Sequence, residues 1–205
     1  MPLPDFQATV DSLRDYIWRD VAAAFDTPET IITAIVDLLQ PEYDPVVLRP
    51  YAQQVVESLL KQHRARQATW STVTDCDRLD RAFAHLEASG IVCRQHFTCC
   101  SRCGEAEILN ELASLQAGGQ LVRGYAFYDV RETDAAILGH GLHLSFGAAT
   151  RDLAAAHFVG QKLVSTLEQQ GLRTDWTGEP SSRIFVDLDW KRRRGSSAFC
   201  SQVDG

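Results

Sequence analysis

The hydrophobic period of this chain changes near residue 90, and that change limits the folds open to it. Before it, apolar residues recur three and four apart, the spacing of one helix face. After it, stretches that alternate every second residue are separated by further helical stretches. Helices first and strand–helix alternation afterwards predict an α/β protein, with α+β as the variant.

The helices are legible from their ends. Asp5 can cap a first helix whose apolar positions are Phe6, Val10, Leu13, Ile17, Val21 and Ala24. Thr27-Pro28-Glu29 supplies a cap, a preset φ and a carboxylate at the positive helix end, and Ile31, Ile32, Ile35, Val36, Leu38 and Leu39 follow before Pro41. Asp44-Pro45 repeats the start, but Pro50 predicts a short turn there and a helix only from about Tyr51. Thr74 and Asp77 have capping-box spacing ahead of Leu79, Phe83 and Leu86, and Gly90 closes that helix.

Strands are predicted at Ile91–Thr98, Leu121–Tyr128, around Leu142-Leu144-Phe146, at Leu172–Trp176 and at Arg183–Trp190. Helices are expected from about Gly104 to Gly118, briefly over Thr133–Leu138, and from Leu153 to Gly171. The order is β-α-β-α-β-α-β-β, with parallel crossovers and a C-terminal antiparallel hairpin turned by Thr177-Gly178-Glu179-Pro180-Ser181. A helical N-terminal region over 1–90 is expected to pack on the mixed sheet of an α/β domain over 91–195, with 196–205 a flexible tail.

The totals suit such a fold. A chain of 205 residues, 45% hydrophobic and 23% charged, buries about 70% of its unfolded surface and needs no staples. A net charge of −7 argues against wholesale binding to nucleic acid or to an anionic membrane. The start, Met1-Pro2-Leu3-Pro4-Asp5, lacks the basic residues and apolar stretch of a signal peptide, and no apolar run approaches the roughly 20 residues of a membrane helix. The expected compartment is the cytoplasm, where the six cysteines would stay mostly reduced. The expected partner is a protein or small molecule.

One motif carries chemistry: Cys99-Cys100-Ser101-Arg102-Cys103-Gly104, between a predicted strand and a predicted helix. Three readings compete. Cysteine is often buried, so the thiols can be packing groups. A C-x-x-C-G turn can present thiolates to zinc, with Cys99, Cys100, Cys103, His96 and His143 as candidate ligands, although no second C-x-x-C is present. A strand, C-x-x-C and helix is also the order of thiol–disulfide enzymes, with Cys100 and Cys103 as the pair and the helix N-terminus lowering a thiol pKa. Arg102 would assist that and Glu105 and Glu107 would oppose it.

Other clusters have plainer readings. His140 and His143 form an H-x-x-H pair, and His157 lies on the apolar side of its helix. Lys191-Arg192-Arg193-Arg194 reads as a solvated strand end, and Asp187 and Asp189 as the solvent side of the last strand. No phosphate loop, nucleophile elbow or H-E-x-x-H is present.

From about Asp75 to Trp190 the chain resembles an uncharacterised bacterial domain family, a domain of unknown function. The likeness rests on Leu79, Ala82-Phe83, Leu86-Glu87, Gly90-Ile91-Val92, the string Phe97-Thr98-Cys99-Cys100-x-x-Cys103-Gly104, Ala106-Glu107, Gly124-Tyr125, Leu142–Ala148, Trp176 with Gly178, and Arg183-Ile184. The resemblance implies an α/β fold and a bacterial cytoplasm, and it carries no activity. The leading expectation is a non-catalytic binding or accessory protein whose cysteine cluster is structural or holds zinc. The alternative is a thiol–disulfide oxidoreductase; a nucleic-acid-binding regulator ranks last.

Overall fold

The structure, a computed structural model, describes residues 8–9, 13–40 and 42–195. Asp5, Phe6, Val10, Pro41 and the expected tail 196–205 lie outside the described residues. Seven helices and five strands are described: α1 (Arg14–Ala23), α2 (Pro28–Leu39), α3 (Pro45–Gln67), α4 (Asp75–Ala88), β1 (Ile91–Arg94), α5 (Ser101–Ala117), β2 (Gly124–Phe127), α6 (Val130–Ile137), β3 (Leu142–Ala148), α7 (Leu153–Gln169), β4 (Arg173–Asp175) and β5 (Ile184–Asp187). This is the expected α/β class with the expected element order. The chain divides into a unit of Met1–Ser71 with Lys191–Gly205 and a unit of Thr72–Trp190. That division falls one helix earlier than the change of period suggests.

In the helical unit, α2 begins where Thr27-Pro28 announces it, with the Thr27 hydroxyl accepting from the Thr30 N–H at 3.1 Å. α3 corrects the expectation at Pro50. The helix runs from Pro45 straight through Pro50, capped by the Asp44 carboxylate, which accepts from the Val46 N–H at 2.9 Å. An interior proline costs about 3 kcal/mol. Here Leu48, in the same early turns, is fully buried, and burying a leucine returns about 1.5–3 kcal/mol. Ile17 and Val21 of α1, the Ile31–Leu39 stripe of α2, and Leu48, Val55, Val56, Leu59 and Leu60 of α3 form one core.

The basic run closes this unit and is not a solvated end. The Arg194 guanidinium donates to the carbonyls of Val21 at 2.8 Å and Asp20 at 2.9 Å in the last turn of α1, and to that of Asp26 at 2.8 Å in the connection after it. Its backbone N–H donates to Gln67 Oε1 at 3.1 Å. Arg192 lies over the Phe25 ring, 4.5 Å from its centre, and its carbonyl faces His63 Nε2 at 3.1 Å. Cations belong at the negative end of a helix dipole, and the flat guanidinium fork reaches several carbonyls at once.

In the second unit the sheet order is β1-β2-β3-β5-β4. β1 and β2 are parallel, joined over α5; every other adjacent pair is antiparallel. The β2–β3 pair thus departs from the expected parallel crossover. α6 has eight residues, about 12 Å of helix, and does not carry the chain back past the length of a strand such as β3, about 23 Å. Along β5 and the three residues after it, Ile184, Val186, Leu188 and Trp190 are buried while Asp187 and Asp189 are exposed, as alternation predicts, although the strand itself stops at Asp187, short of the predicted Trp190. The sheet has helices on both faces. Gly124 faces Val159 of α7, and Phe127, on the opposite side of β2, meets Gly104 of α5. α4, capped by the Thr74–Asp77 box, packs on β1 and α7. Among the described residues no helix is long and apolar enough to cross a membrane.

Candidate functional site

The thiol cluster sits where β1 hands the chain to α5. β1 stops at Arg94, short of the predicted Thr98, because His96 and Thr98 take positive φ values of 51° and 61°. Thr98 is β-branched, and such a conformation is sterically costly unless its surroundings hold it. They do. The Phe97 N–H donates to the Tyr128 carbonyl at 2.9 Å, the Val130 N–H to the Thr98 carbonyl at 3.2 Å, and the Thr98 hydroxyl to the Cys100 carbonyl at 3.1 Å. The Phe97 and Phe127 rings meet edge to face. The turn is therefore pinned to the end of β2 and the start of α6.

α5 begins three residues earlier than predicted. Cys100 is its N-cap, in extended conformation, and Cys103 falls in the first turn. The Ser101 hydroxyl donates to Asp129 Oδ2 at 2.9 Å, while Asp129 Oδ1 accepts from the Arg131 N–H at 2.9 Å and the Glu132 N–H at 3.1 Å. Asp129 is buried and ties the starts of two helices together. Gly104 allows the close approach: a Cβ there would lie 2.4 Å from the Phe127 ring. The sequence held a signal for Asp129, an N-capping residue with Glu132 three positions on. It held none for the left-handed turn residues.

The three sulfurs converge. Cys99 Sγ is 3.6 Å from Cys103 Sγ and 3.9 Å from Cys100 Sγ, and all three lie within 4.8 Å of one another. Cys99 and Cys103 are exposed and Cys100 is half-buried. Packing therefore does not account for these thiols. It does account for Cys76 and Cys93, both buried. Cys93, on β1, turns its thiol to the Ile91 carbonyl at 3.5 Å, and burial pushes its pKa well above the ordinary value. At Cys100 the direction reverses. The Cys103 backbone N–H, then the Cys103 thiol, the Cys99 thiol and the Arg102 backbone N–H, hold it below the ordinary thiol value. Arg102 thus assists through its amide at the helix start. Sharing hydrogen bonds with Cys100 and Cys99 keeps the Cys103 proton on, and its pKa is pushed up to about 11.

The candidate histidines lie outside this grouping of sulfurs. His96 Nδ1 is 2.9 Å from the Thr133 hydroxyl. His143 Nδ1 is 3.1 Å from Glu132 Oε2, and its ring lies 5.2 Å from that of Phe185. His140 is exposed, and His157 Nδ1 is 2.9 Å from the Gly178 carbonyl. Asp187 pairs with Arg173 across the hairpin at 2.5 Å.

A family model described as a domain of unknown function, DUF6891, matches residues 7–194. The match takes in the first helices as well as the α/β unit, so it is wider than the likeness over 75–190. No curated protein and no solved structure matches the chain.

Proposed function

The chain belongs to the DUF6891 family, and within it we propose a non-catalytic metal-binding protein of the cytoplasm, in which Cys99, Cys100 and Cys103 hold one zinc ion. The sulfur spacing carries this reading. A zinc–sulfur bond of about 2.3 Å in a tetrahedron sets neighbouring sulfurs about 3.8 Å apart. The observed separations of 3.6 and 3.9 Å fall on either side of that value before any ion is added. Zinc takes thiolates, so the lowered pKa of Cys100 eases the first ligation, and the ion's own charge removes the remaining protons. Three protein ligands leave a fourth position for water or a donor from a partner. Elemental analysis of untagged protein tests the proposal. One zinc per chain is expected, and substoichiometric metal after incubation with zinc would reject it.

The split in thiol acidity between Cys100 and Cys103 favours a second reading, thiol–disulfide oxidoreductase. Catalytic reduction of a disulfide substrate by the metal-free protein, with a small thiol as reductant, separates this reading from the first.

A further inference from the structure

We propose that the cluster is a redox switch for its own metal: a low-molecular-weight disulfide oxidises Cys100 and Cys103 to a disulfide, and the ion leaves. This rests on the zinc reading above. Cys100 at the N-cap and Cys103 in the first turn have the C-x-x-C spacing and sulfurs within 4.8 Å of each other, with Cys103 exposed and Cys100 half-buried. Cys99 and Cys100 are neighbours in sequence, and a bond between them would strain a trans planar peptide. The buried thiols of Cys76 and Cys93 are sheltered from the reagent. Cys99 Sγ also lies 3.6 Å from Cys103 Sγ, and it is the C-x-x-C spacing that assigns the bond to Cys100 and Cys103; the disulfide forms within the metal site and leaves Cys99 as a single ligand, too few to hold zinc.

The exchange balances. The Cys100 sulfur attacks one sulfur of the small disulfide, forms a mixed disulfide and expels one small thiolate. The Cys103 thiolate, released by the ion, then attacks the Cys100 sulfur, forms the Cys100–Cys103 bond and expels the second small thiolate, and the zinc ion passes to solvent. Two protein thiolates lose two electrons, and one small disulfide becomes two thiolates.

The test uses the full chain loaded with zinc and treated with oxidised glutathione. Zinc is measured before and after with a chromogenic chelator, and disulfides are located by peptide mass mapping. The expected result is zinc release in the same time course as a Cys100–Cys103 disulfide, with Cys76 and Cys93 still thiols and zinc binding restored by dithiothreitol. Metal-free C103S should stop at the mixed disulfide of Cys100 with glutathione. Zinc retained after oxidation, or a disulfide mapped to another pair, overturns the switch while the zinc site stands. No zinc before oxidant is added rejects the zinc site, and the switch with it.

Discussion

The head of α5 and the segment 191–195 are the two most concentrated clusters in the sequence, one of thiols and one of cations. Both lie at helix ends of the favourable sign: thiols at the positive start of α5, a guanidinium at the negative end of α1. They differ in where their polar atoms go. Arg194 spends its guanidinium on three backbone carbonyls, whereas the cysteines turn their sulfurs toward one another, with Cys99 and Cys103 exposed. A residue whose donors are consumed by the backbone is structural, however charged it is. One that keeps its reactive atom outside the packing is available for chemistry.

Several substitutions test this contrast. Replacing any one of Cys99, Cys100 or Cys103 by serine should have the largest effect, weakening zinc binding more than about 100-fold, beyond the loss typical of an outer partner. Thermal stability of the metal-free protein should change by no more than about 0.5 kcal/mol, the surface range. A drop in metal-free stability comparable to that of a core mutant would erase the contrast. Arg194→Ala should do the opposite. Loss of three charge-assisted hydrogen bonds should cost about 3 kcal/mol and lower the melting temperature by roughly 6–12 °C for a chain of this size, with thiol reactivity and zinc binding untouched. Arg194→Lys keeps the charge but not the fork, and should recover less than half of the loss.

Gly104→Ala joins the two properties. A methyl pressed into the Phe127 ring should cost about 2 kcal/mol and, by shifting the first turn of α5, change the rate at which Cys100 is alkylated. In the wild type that rate should rise with a midpoint below the ordinary 9.0 for Cys100 and near 11 for Cys103; equal midpoints would remove the distinction between the thiols. The smallest effect belongs to His63. Burial lowers its pKa below 6.5, ahead of the opposing effect of the Arg192 carbonyl and the repulsion of Arg194 and Arg66. The unfolded chain therefore takes up the proton first, and stability is full above 6.5 and declines as pH falls toward the folded value. His63→Gln should flatten that acid slope in chemical denaturation measured across pH.

Much of the fold was legible because its signals are local. Thr27-Pro28 and Thr74 with Asp77 start helices where their side chains can cap them, and the alternation from Ile184 to Trp190 is the burial pattern of β5 and the residues after it. Pro50 misled because a local cost was outweighed by distant burial around Leu48. The antiparallel pairing of β2 with β3 depends on how far a short helix carries the chain, which periodicity does not record. At the site, the thiols were visible, but their convergence was not. It depends on the left-handed His96 and Thr98, on Asp129 from a later helix start, and on the fit of Gly104 to Phe127. The fate of Arg194 was equally hidden, since its partners stand up to 174 positions away.

That separation bears on how the protein is made. On a ribosome, α1, α2 and α3 emerge long before residue 194, so the last carbonyls of α1 must rely on water until that residue has been synthesised. A fragment ending at residue 71 would carry the three helices but lack their final clasp, and a nascent chain stalled before residue 190 would share that deficit. The helical unit, whose three helices are translated before the α/β unit, is thereby completed only after it.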